Sequence, residues 1–264
     1  MRKASVIVAA CVAAGWLVQP ATASTGTITT LCEHGQHRIV NGQNGMAYQV
    51  RNAYWRGSRT MCITNRALLP NFTVVKRPGI DPDGFVSAYP DIYRGCLWHV
   101  CSPNARIPIQ AKQIGRLHST WHTRQDAGGD WSAAYDLWFG KREMITGQAN
   151  GAELMIWLGR HGRCCGLNKH APIVKVSGYK FHLMHWHHFS QQWGVGWNYI
   201  QFRLVHPRTR VDSLDLKQFI SKSIRRGLIR RSWWLENVMA GFEIWRGGEG
   251  LATTKFSVSL SRRR

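Results

Sequence analysis

Three short segments carry a carboxylate followed two residues later by an aromatic side chain. They are Asp136 with Trp138 in Tyr135-Asp136-Leu137-Trp138-Phe139, Glu153 with Met155 and Trp157 in Glu153-Leu154-Met155-Ile156-Trp157, and Glu243 with Trp245 in Gly241-Phe242-Glu243-Ile244-Trp245. Read as β-strands, each puts its acid and its aromatic on one face and apolar residues on the other: Ala152, Leu154, Ile156 and Leu158 back the Glu153 strand. A single strand of this kind is most often a solvated face with one anchoring ring. Three of them in a chain with only 14 acidic residues point instead to a groove floored by acids and walled by indoles. Indole faces stack on the C–H faces of sugars, and paired carboxylates supply the acid, base and nucleophile that cleave a glycosidic bond.

The elements that must hold these acids have the cadence of a β-sandwich. Gly, Asn, Ser and Thr recur every eight to twelve residues between short apolar runs. Tyr48 to Trp55 reads as one strand, with Trp55 near its end, where it can project into a cleft or cover a sheet edge. The Pro-, Gly- and Asp-rich run from Pro78 to Pro90 reads as loop, Gln125 to Asp130 as a hairpin-like turn, and Trp197 to Val205 as a further strand. The one clear helix starts with Ser213 or Asp212 as N-cap, carries Leu216, Phe219, Ile220 and Ile224 as its apolar stripe, and stops at Gly227. Strands in the closing stretch from Trp233 to Leu260 precede a basic tail at 261–264, expected to be disordered. No linker, repeat or low-complexity tract interrupts the chain, so 24–264 reads as one catalytic domain.

Residues 1–23 have the form of a secretory signal: Arg2 and Lys3, an apolar run from Val6 to Val18, and a small-residue site at Ala21-Thr22-Ala23 that leaves Ser24 as the mature start. The apolar run is short for a membrane span and Pro20 interrupts its end, so the chain is expected to be secreted and monomeric. Export makes the cysteines readable as disulfide partners. Cys96 and Cys101 can close a short loop and Cys32 with Cys62 can tie N-terminal strands, although six cysteines allow 15 pairings; adjacent Cys164 and Cys165 could form a vicinal bridge or stay free. The formal net charge of +21 is spread along the chain without a nucleic-acid fold signature, so it suits anionic surfaces such as a cell wall and not nucleic acid. His182, His185, His187 and His188 fall in one stretch, where a metal site is conceivable; with no acid or cysteine near them, aromatic and imidazole rings facing a glycan explain them as well. The chemistry needs no cofactor and no metal.

At these motifs the chain resembles glycoside hydrolase family 12, the small secreted endoglucanases and xyloglucanases. The resemblance runs from about Cys32 to Leu260. It rests on Tyr89-Pro90 through Cys101 with its Arg94-Gly95-Cys96, on the Asp136, Glu153 and Glu243 segments, and on Gly250-Leu251 leading to the last strand. It implies a β-jelly roll of two antiparallel sheets, a substrate cleft on the concave face and one helix on the outer side. By the same resemblance Glu153 is the nucleophile, Glu243 the acid/base and Asp136 a hydrogen-bonding support of the nucleophile, with bridges Cys32–Cys62 and Cys96–Cys101. Asn52, Trp55, Trp138, Met155, Trp157 and Trp245 would bind substrate. The family's Asn-Asn-x-Trp reads Asn52-Ala53-Tyr54-Trp55 here, which removes one hydrogen bond to a glycone-side sugar. The activity implied is a retaining endo-β-1,4-glucanase acting on β-glucan. Its alternatives are a xyloglucan- or mixed-linkage-specific hydrolase and a glycan-binding protein that no longer cuts.

Overall fold

The computed structural model describes residues 26–42, 45–55, 60–163, 166–168 and 170–263. The leader at 1–23, Cys164 and Cys165 therefore lie outside the described residues. In chain order the strands are β1 (Ile28–Leu31), β2 (Gln36–Asn41), β3 (Ala47–Asn52), β4 (Cys62–Arg66), β5 (Phe72–Lys76), β6 (Asp91–Leu97), β7 (Val100–Cys101), β8 (Ile109–Gln110) and β9 (Ile114–Arg124). Then follow β10 (Gly129–Gly140), β11 (Ala152–His161), β12 (Ile173–Val176), β13 (Tyr179–Ser190), β14 (Val195–Leu204), β15 (Arg210–Asp215), helix α1 (Leu216–Arg225), β16 (Trp234–Leu235), β17 (Asn237–Gly247) and β18 (Ala252–Arg262).

Two sheets pack face to face, giving the jelly-roll sandwich. The smaller has the order β1-β4-β5-β18-β9-β15; the larger runs β12-β13-β14-β11-β10-β17-β6-β3-β2, with three short strands alongside. Period-two alternation drives the packing. Ala152, Leu154, Ile156 and Leu158 of β11 are all buried toward the smaller sheet, which answers with Leu117 and Trp121 of β9 and Phe256 and Val258 of β18. Trp121 meets Tyr135 edge-on at 5.1 Å, and its indole N–H donates to Thr253 Oγ1 at 3.1 Å, so the largest core ring brings no unpaired donor inside. Arg94 is also buried: its guanidinium donates to the carbonyls of Ala105 and Val258, lacing β6 to β18 across the sandwich. The bridges Cys32–Cys62 and Cys96–Cys101 are both formed.

Four features differ from the sequence expectation. The segment 125–130 is no hairpin, because β9 belongs to the smaller sheet and β10 to the larger; the chain crosses between layers there. Gly129 permits the crossing at φ +108°, where a Cβ would come within 2.0 Å of the Arg246 carbonyl. Helix α1 begins later than Ser213, because β15 keeps pairing with β9 up to Asp215; Ser213 occupies an irregularity in that ladder with φ +51°. Its far end is as read: Gly227 at φ +72° lets the Leu228 N–H reach the Ser223 carbonyl. Ser261 and Arg262 are not a loose tail, since they pair with Arg116 and Ile114 of β9. Finally, β11 and β14 are parallel, the exception among the described strand pairs of an otherwise antiparallel sheet. Helix α1 covers the core side of β13 and β14, away from the cleft, with Phe219 edge-on to Phe181 and Phe202 at 5.1 Å each.

Candidate active site

Strand β10 sits between β11 and β17, so the three acid-bearing segments are neighbours in one sheet. In register, Asp136 lies opposite Met155 on one side and Met239 on the other, Glu153 opposite Trp138, and Glu243 opposite Ser132. All three carboxylates border one cavity of about 1160 Å³ on the concave face. Each has one neutral donor: Trp197 Nε1 to Glu153 Oε2 at 2.7 Å, Trp138 Nε1 to Asp136 Oδ2 at 2.8 Å, and the Ser132 hydroxyl to Glu243 Oε2 at 2.8 Å. No hydrogen bond joins Asp136 to Glu153 among the described residues. In this structure the two interact through their charges and not through the hydrogen bond that the resemblance implied.

Burial dominates the electrostatics. It pushes Glu153 well above the usual carboxylate range, the Asp136 and Glu243 charges add to that push, and the Trp197 donor opposes it. Asp136 is likewise raised by burial against the Trp138 bond, with Glu243 and Asp91 adding. Glu243 rises to about 7 through burial, while the Ser132 hydroxyl and the Arg203 charge pull it down. Desolvation tempered by a cation thus sets the proton affinity of Glu243. Beside them Arg51 pairs with Asp91 on the same floor, and burial still lifts Asp91 to about 6. Asp136, Glu153 and Glu243 thus hold their protons to higher pH than exposed carboxyls do.

The model of glycosyl hydrolase family 12 matches residues 99–261, more than half of the chain. The chain belongs to glycosyl hydrolase family 12. A metagenome-derived family 12 endoglucanase is 36% identical over 90% of this chain and 100% of its own, with a TM-score of 0.81. Endoglucanase cel12A from Rhodothermus marinus is 34% identical over 89% and 100%, with a TM-score of 0.80. A family 12 xyloglucanase from Bacillus licheniformis, at 16% identity and a TM-score of 0.75, shares the fold. Comparison with curated protein sequences returns no match. The protein is a glycoside hydrolase of the cellulase type.

Within this family 12 cleft the remaining candidates separate. Trp55, 38% exposed, Trp138 and Met155 border the cavity. Trp157 and Trp245 do not line it: the Arg203 guanidinium lies 4.6 Å over the Trp157 ring, and Trp245 packs beside that ring at 6.3 Å. Asn52 also turns inward, fully buried, with its amide donating to the Met61 and Glu33 carbonyls, so it anchors the end of β3 and faces no sugar. Of the four clustered histidines only His188 borders the cavity, its ring 4.5 Å from that of Trp197. Sequence reasoning missed Trp197, Arg203 and Glu236. For the first two the signal was available: on an alternating strand, Trp197, Tyr199, Gln201 and Arg203 share the face that β11 gives to Glu153.

Proposed function

We propose that the protein is a retaining endo-β-1,4-glucanase that cuts internal bonds of unbranched β-glucan and is exported to do so. The observation that carries this reading is the pair of acids on the strands flanking β10: both border one cavity, and each has a different neighbourhood. Glu153, held by the Trp197 indole, attacks the anomeric carbon as a carboxylate. Glu243, carrying a proton near neutrality, gives it to the departing glycosidic oxygen. The glycosyl ester is then opened by a water that yields its proton back to Glu243, which restores both groups. A proton kept on Asp136 removes the nearest like charge from Glu153 and favours its ionised form. The endoglucanase names of the two relatives above 30% identity support the substrate class. The apolar N-terminal segment supports export.

Glu153→Gln and Glu243→Gln should each lower release of reducing ends from barley β-glucan by at least about 100-fold with an unchanged melting temperature. Retention of configuration should be visible by following the product anomer with NMR. Near-normal turnover in either variant, or inverted product, defeats the mechanism. Retention of insoluble glycan without any hydrolysis by the parent protein would make it a binding protein.

A further inference from the structure

Beyond the three acids a fourth carboxyl borders the same cavity. Glu236 occupies the single-residue break between β16 and β17; its N–H donates to the Trp138 carbonyl at 2.9 Å and its carbonyl accepts the Cys96 N–H at 2.8 Å, which fixes the backbone. Glu236 is only 5% exposed, and Oε1 is closed to water with no hydrogen-bond partner, leaving Oε2 as the oxygen that a ligand can reach. Its space exists because residue 140 is glycine: a Cβ there would stand 2.2 Å from Oε1. Burial alone raises this carboxyl to about 8, so at neutral pH it is a protonated group able both to donate and to accept. A carboxyl held at the wall of a binding cleft with one oxygen shut away presents the other, Oε2, to a hydroxyl of whatever fills the cleft.

The surroundings say what that ligand is. Trp98, from the loop closed by Cys96 and Cys101, and Trp193, from the tip of the β13–β14 hairpin, bring their rings to 4.7 Å. The strands they extend, β6 and β14, are separated in the sheet by β17, β10 and β11. The two loops thus meet across the cleft, and both rings keep exposed surface in the cavity that Trp138 and Glu236 also border. Indole faces beside one neutral, bifunctional hydroxyl-binding group suit a glucose ring, and the narrow access to Oε2 suits a hydroxyl more than a pendant sugar.

We infer that Glu236 is a specificity-determining residue that binds a ring hydroxyl of an unsubstituted glucosyl unit packed among Trp98, Trp138 and Trp193, so that the enzyme selects unbranched β-glucan over chains carrying a side sugar at that unit. This rests on the glucanase reading above. Glu236→Leu, which keeps bulk and loses both hydrogen-bonding functions, raises KM for unbranched cello-oligosaccharides about tenfold with kcat little changed, and narrows the preference for them over xyloglucan. Glu236→Gln, which keeps a donor and an acceptor, recovers most of that loss. The same pair placed in the Glu153→Gln background and titrated with cellohexaose by calorimetry reads binding without turnover. If the parent protein proves inactive, the glucanase reading fails while the tenfold affinity difference still decides the role of Glu236. An unchanged KM and affinity in Glu236→Leu, or equal damage in both variants accompanied by a lowered melting temperature, overturns the inference.

Discussion

Arg203 shows how a single side chain tunes the acid it never replaces. Its guanidinium lies against the Trp157 ring, and its charge is the cationic influence on Glu243, which burial otherwise drives upward. A nearby cation favours the ionised carboxylate, so removing it raises the pH at which Glu243 gives up its proton. Arg203→Met should therefore shift the alkaline limb of the kcat/KM profile upward by about one pH unit, whereas Arg203→Lys leaves it near its original place; a limb that does not move in Arg203→Met refutes the assignment. Glu236 gives a second test through stability. Its folded-state pKa of about 8 exceeds the ordinary value, so the unfolded chain sheds this proton first and the folded state loses stability as pH rises through that interval. Glu236→Gln should accordingly gain melting temperature over the parent at pH 9 and show little difference at pH 4, as read by differential scanning calorimetry. The positions of Asp136, Glu153 and Glu243 were legible because alternation alone assigns a face. Alternation also gives the face of Trp197, but its partner was not legible, because its bond to Glu153 spans 44 residues and depends on a parallel pairing that no local pattern announces.

At the scale of elements, the two disulfides differ in the loop each closes. Cys32 and Cys62 are 30 residues apart and join the chain beyond β1 to β4, while Cys96 and Cys101 are 5 apart and tie β6 to β7. Restricting the unfolded chain is worth more for the longer loop, about 4 kcal/mol against about 2 kcal/mol. Replacing both cysteines of each pair by alanine should reproduce that ranking in chemical denaturation. Losing the short bridge should instead loosen Trp98 and weaken oligosaccharide binding. The helix stripe and its glycine stop could be read directly, yet its start could not, since the ladder between β15 and β9 outcompetes a capping serine. The 125–130 segment misled for a related reason: turn residues mark a reversal of direction, and only the pairing partners tell whether the next strand stays in the same layer.

Taken as a whole, the molecule combines a strongly cationic exterior with an acidic groove. A net charge of +21 acts over roughly 8 Å at physiological ionic strength, so adsorption to an anionic polysaccharide should fall steeply between about 50 and 500 mM salt. Hydrolysis of a neutral soluble β-glucan should change little over that range, because the substrate has no charge to be steered; parallel salt dependence of both would tie the exterior charge to the reaction. The sandwich itself was legible from the spacing of turns, but its asymmetry, a broad sheet curled over one face and a smaller one behind it, emerges only from long-range pairing. That asymmetry also fixes where the two described extremities emerge. β1 and β18 both belong to the smaller sheet, on the opposite side of the sandwich from the groove. A fusion partner, an affinity handle or a solid support joined at either extremity would hold the enzyme by its back and leave the mouth of the groove facing the polymer.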